Sequence, residues 1–102
     1  MLQSCTVTGS FVCQGRPVAG LVRFVPERLW LVQDGTCWAT LAPTVRLSSD
    51  GSFVAEVTAT DYGGWHYLVQ TPAGSFRVMV PWHPTGHSLK ELIGEHHPGP
   101  RP

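Results

Sequence analysis

The sequence contains no asparagine, one lysine (Lys90) and one isoleucine (Ile93), and only 14% of its 102 residues are charged. Seven Lys and Arg balance seven Asp and Glu, with no run of either sign. A surface that tracks phosphates needs clustered cations, so nucleic-acid binding is not expected. No apolar run reaches the roughly 18 residues a spanning helix requires, and no basic-then-apolar segment opens the chain. These absences read as a soluble protein with no membrane partner, made without a secretion signal.

Cysteine is also scarce. Cys5, Cys13 and Cys37 form an odd set with no C-x-x-C spacing, which argues against a disulfide framework and a zinc knuckle. Three small buried thiols are expected, since free cysteine is among the most buried residue types.

What is plentiful is apolar and turn-forming: 42% hydrophobic residues, 11 Gly and 9 Pro. This composition fits one packed domain with an unusually uncharged surface. Turn signals recur at short intervals between runs of period-2 alternation, predicting an all-β fold, a β-sandwich or small barrel of seven to eight short strands. Residues 2–13 read as the first strand, with Cys5, Val7, Gly9, Phe11 and Cys13 on the buried face. Residues 18–26 follow, with Val22 and Phe24 inward. Asp34-Gly35 predicts a two-residue type I′ hairpin between 28–33 and 36–41, and Asp50-Gly51 is a second such signal between 44–48 and 52–60. Trp65, Tyr67 and Val69 share one face, as do Phe76, Val78 and Val80.

The one helical signal comes late. Ser88-Leu89-Lys90-Glu91 is a capping box, Leu89, Leu92 and Ile93 form a short apolar stripe, and Gly94 is the expected end. From residue 96 a proline-rich tail follows that has nothing to bury. The chain therefore divides into a β-sandwich domain, 1–81, and a C-terminal docking segment, 82–102.

Catalytic constellations are hard to assemble. His83 and His87 are four apart, a spacing that brings two ligands together on a helix, and Pro84 and Gly86 oppose one there. His96 and His97 would need further ligands from elsewhere. No G-x-S-x-G elbow or phosphate loop occurs, and Ser10, Ser52 and Ser75 lie beside glycines in turn contexts. The carboxylates Glu27, Asp34, Asp50, Glu56, Asp61, Glu91 and Glu95 fall mostly at turns or caps. No enzyme activity, cofactor or metal is expected.

Apolar residues on the outward parity are more informative. Leu21, Val25, Trp30, Val32, Met79 and Trp82 point away from the assigned core, and outward Trp and Met are enriched at protein contacts. With the helical stripe, the interface candidates are Trp30, Val32, Met79, Trp82, Leu89, Leu92 and Ile93.

An ordered set of motifs opens with Thr6-Val7-Thr8-Gly9-Ser10-Phe11, Gly15-Arg16-Pro17-Val18-Ala19-Gly20 and Val22-Arg23-Phe24-Val25-Pro26. It continues through Asp50-Gly51-Ser52-Phe53, Ala59-Thr60-Asp61, Gly64-Trp65-His66-Tyr67-Leu68-Val69 and Val78-Met79-Val80-Pro81, ending at Ser88-Leu89-Lys90-Glu91-Leu92. In this set the chain resembles small virion proteins of actinobacterial tailed phages, of the minor tail protein type. The resemblance implies an Ig-like β-sandwich, a non-enzymatic structural protein located in the virion, whose partners are other virion proteins of tail or capsid, or copies of itself. Capsid decoration is the alternative placement. A carbohydrate-binding module is another, with Trp30, Trp38 or Trp82 stacking on a host surface glycan.

Overall fold

The computed structural model describes residues 2–96. In chain order its elements are β1 (Ser4–Ser10), β2 (Val12–Cys13), β3 (Arg16–Pro17), β4 (Leu21–Pro26), β5 (Trp30–Gln33), β6 (Thr36–Ala39), β7 (Thr44–Arg46), β8 (Ser52–Thr58), β9 (Tyr67–Thr71), β10 (Gly74–Val78), β11 (His87–Ser88) and α1 (Leu89–His96). One sheet has the order β11-β1-β8 and the other β10-β9-β4-β7, while β2-β3 and β5-β6 form separate two-stranded ribbons.

Alternation builds the core as the sequence implies. Cys5 and Val7 of β1 and Phe53, Ala55 and Val57 of β8 turn inward from one sheet; Val22, Phe24, Tyr67 and Val69 turn inward from the other. The Phe24 and Phe53 rings meet between the sheets with centroids 6.2 Å apart. Each buried Val or Phe among them contributes about 1.5–3 kcal/mol by leaving water. The fold is an all-β sandwich with one short C-terminal helix.

Three local expectations need correction. The first strand does not run unbroken over 2–13. Phe11 leaves the ladder, its N–H donating to the Gly51 carbonyl at 2.9 Å and its carbonyl accepting from Val18 N–H at 3.0 Å. The chain beyond it folds back as the β2-β3 ribbon.

Asp50-Gly51 does make a turn, but it does not join paired strands: β7 pairs with β4, and β8 pairs with β1. The turn carries the chain from one sheet to the other. Gly51 takes φ +82°, and a Cβ there would collide with the Phe11 carbonyl.

The C-terminal segment is not separate from the sandwich. Gly86, at φ +76°, lets the chain pass against the Thr6 carbonyl, and β11 then pairs in parallel with β1, Val7 opposite His87. The capping box forms: Glu91 N–H donates to Ser88 Oγ at 3.2 Å, and Ser88 N–H donates to Glu91 Oε1 at 3.0 Å. The helix runs past Gly94 to His96. Its Leu89 and Leu92 are buried in the common core. The proline-rich tail, from residue 97 on, lies outside the described residues.

Candidate docking surface

The β5-β6 ribbon is the hairpin announced by Asp34-Gly35, which take φ 53° and 77° as a type I′ turn requires. Directly opposed residues share a face. Leu31 opposite Trp38 forms the inner face, while Trp30 opposite Ala39 and Val32 opposite Cys37 form the outer one. Leu31 is 3% exposed, whereas Trp30 is 61% exposed and Val32 59%. Cys37 and Ala39 are exposed too, so the outer face carries no charged side chain.

The ribbon is held at its base and along its side. Thr40 N–H donates to the Leu29 carbonyl at 3.0 Å, and Thr40 Oγ1 donates to that of Arg28 at 2.6 Å. From the neighbouring loop, Tyr62 donates its hydroxyl proton to the Val32 carbonyl at 2.7 Å. That loop is anchored by buried Trp65, whose Nε1–H donates to the Tyr62 carbonyl at 3.1 Å. One residue earlier, Asp61 Oδ2 accepts from Trp82 N–H at 2.7 Å. Asp61 and Tyr62 thus tie exposed Trp82 and the ribbon to one loop.

Trp30, Val32 and Trp82 are therefore exposed and linked through this loop. The other interface candidates sit elsewhere. Met79 is half-buried between buried Val78 and Val80, and Ile93 is partly buried against the core. Leu89 and Leu92 cannot serve as docking contacts in this fold, because their own sandwich covers them. Trp38 is half-buried on the inner face with its Nε1 enclosed and unpaired, which removes it as a stacking platform. Tyr62, exposed and bonded to the Val32 carbonyl, belongs to this surface although the sequence did not single it out. The Tyr62-Gly63-Gly64 loop was the available signal.

The cysteines divide. Cys5 is buried, with its Sγ 3.8 Å from the His83 carbonyl, but Cys13 and Cys37 are exposed. Both exposed thiols lie on two-stranded ribbons, over whose outer faces no second sheet packs. The expectation of three buried thiols therefore holds for Cys5 alone: Cys13 lies beyond the break in the first strand at Phe11, and Cys37 lies on the uncovered face of its hairpin, opposite exposed Val32.

His83 and His87 do meet, ring centroids 5.7 Å apart, across a turn instead of on a helix. His83 Nδ1 accepts from Thr85 N–H at 3.2 Å, and His87 Nε2 donates to the Pro81 carbonyl at 2.6 Å. Among the described residues no group of three His, Cys, Asp or Glu could hold a metal ion. Carboxylates are engaged in scaffolding. Hydrogen bonding from Arg77, 2.6 Å away, holds Glu27 below its usual value. Hydroxyls of Ser48 and Ser52 bring Asp50 down to about 2. The backbone N–H of Ser88 lowers Glu91.

No family model matches this chain, and no curated protein sequence matches it.

Proposed function

We propose that this chain is a non-enzymatic structural component of a phage particle, docked onto neighbouring particle proteins through the outer face of the β5-β6 ribbon. The observation that carries the reading is Trp30 beside Val32, outward on a ribbon pinned by Tyr62 and Thr40. A large aromatic held on a rigid support loses little conformational freedom on binding, which is why Trp dominates interface energetics. The resemblance to small virion proteins supplies the setting.

The ribbon alone is too small for the whole contact. Four residues on each of two strands span about 13 by 10 Å of backbone, well below the roughly 800 Å² per partner of a standard interface. Trp30 is the anchor, and Tyr62 and Trp82 extend the surface. Asp50, Glu27, Asp61 and Glu91 hold turns, loops and a cap, which agrees with a scaffolding role.

A host glycan is the second reading, favoured by exposed Tyr62 and Trp82 flanking the Asp61 carboxylate. Trp30→Asp and Trp82→Ala separate the two. The docking reading expects Trp30→Asp to keep its melting temperature and fail to enter particles. Particles that carry Trp30→Asp at normal occupancy overturn it, and loss of host adsorption confined to Trp82→Ala supports the glycan.

A further inference from the structure

We propose that the groove between α1 and the edge of the sandwich is a binding site for an amphiphile with an apolar body and a carboxylate head, independent of the ribbon surface. The groove has a volume of ≈ 720 Å³ and is lined by Phe11, Phe76, Leu89 and Ile93, with Lys90 and Gly94 along its helical side. That volume falls within the range of about 300–1,000 Å³ typical of small-molecule sites. Its walls are aromatic and aliphatic, and Phe11, Phe76 and Ile93 remain partly exposed where the groove opens.

Two features point to an occupant. Gly94 lies inside the helix, without positive φ, and a Cβ added there would meet nothing within 4 Å. Glycine in a helix interior is destabilising relative to alanine, and neither a cap nor close packing accounts for this one. Its effect is to leave that side of the groove open. The second feature is Lys90, the only lysine of the sequence. Among the described residues no ion pair holds its ammonium. The adjacent Glu91 is turned onto Ser88, whose N–H and hydroxyl it accepts at 3.0 Å. An apolar trough with the Lys90 ammonium on its rim, unpaired among the described residues, is complementary to a single-headed anion with a hydrocarbon body. The groove is continuous with the core, so its ligand would brace α1 against β1 and β10.

The probe is dodecanoate below its micellar concentration, added to the full chain and followed by calorimetry and by NMR shifts, with dodecanol as the uncharged control. Saturable one-to-one binding that shifts Phe11, Phe76 and Ile93 is expected. Gly94→Leu fills the groove and should weaken binding more than tenfold while melting no lower than the parent. Lys90→Gln should weaken dodecanoate by about two- to fivefold, as loss of an exposed ion pair does, and leave dodecanol unchanged. Non-saturable uptake, or equal dodecanoate affinity in the parent and Lys90→Gln, overturns the proposal, as does undiminished binding by folded Gly94→Leu.

Discussion

The phenolic oxygen of Tyr67 on β9 accepts the backbone N–H of Thr58 on β8 at 2.9 Å, and its proton goes to the Leu41 carbonyl at 2.7 Å. Thr58 Oγ1 in turn accepts from Leu41 N–H at 2.9 Å. Strands from opposite sheets and the connection between β6 and β7 are thereby fastened at one buried point, and burial raises the phenol above its ordinary pKa of 10.0.

Tyr67→Phe should preserve the packing against Trp65 and Phe24 while stranding the Thr58 donor and one bond of the Leu41 carbonyl. The expected loss is about 1–3 kcal/mol, read as a lower urea midpoint. An unchanged midpoint would mean that the crossing bonds contribute nothing.

Leu92 is fully buried, so Leu92→Ala should cost about 2–5 kcal/mol. A chain ending at residue 81 should unfold, because it loses Leu89, Leu92 and the β11 strand together. A stable, cooperatively melting truncation would restore the separate docking arm.

Asp50 titrates at about 2 in the folded protein against an ordinary 3.8. Its depressed value means that the unfolded chain binds more protons in that interval. The stability it contributes is therefore present above about pH 3.8 and disappears as pH falls toward about 2. Asp50→Asn removes this part of the acid slope, leaving that of Glu27 and Glu91, both also lowered. The denaturation midpoint of the variant should fall less steeply with acidification than that of the parent; parallel curves would contradict the assignment.

With a thiol reagent, Cys13 and Cys37 should react within the mixing time and Cys5 only on unfolding, given their exposure. Fast labelling of all three would place Cys5 outside the core.

What the sequence made legible was local. The Asp34-Gly35 hairpin and the Ser88–Glu91 capping box each rest on residues within four positions, where backbone chemistry leaves few alternatives. Face assignments such as Trp65, Tyr67 and Val69 followed from the two-residue period alone. Pairing was less legible: Asp50-Gly51 fixes a turn but not its partners, and β7 pairs with β4, Val45 opposite Val22, across a long stretch of intervening chain. The parallel contact of β11 with β1 depends on Gly86 passing the Thr6 carbonyl, an approach with no local periodic signature. At the candidate docking surface, the outward parity of Trp30 and Val32 was readable, whereas the burial of Leu89 and Leu92 depended on which surface lay beneath the helix.

The central claim is that the ribbon's outer face is covered on assembly, and Cys37 reports on it directly, being exposed opposite Val32. Thiol labelling of the isolated protein and of intact particles, with exposed Cys13 as the internal reference, makes the comparison. Docking through the ribbon predicts that Cys37 becomes at least tenfold slower in the particle relative to Cys13. Equal labelling of both thiols in protein and particle would contradict it.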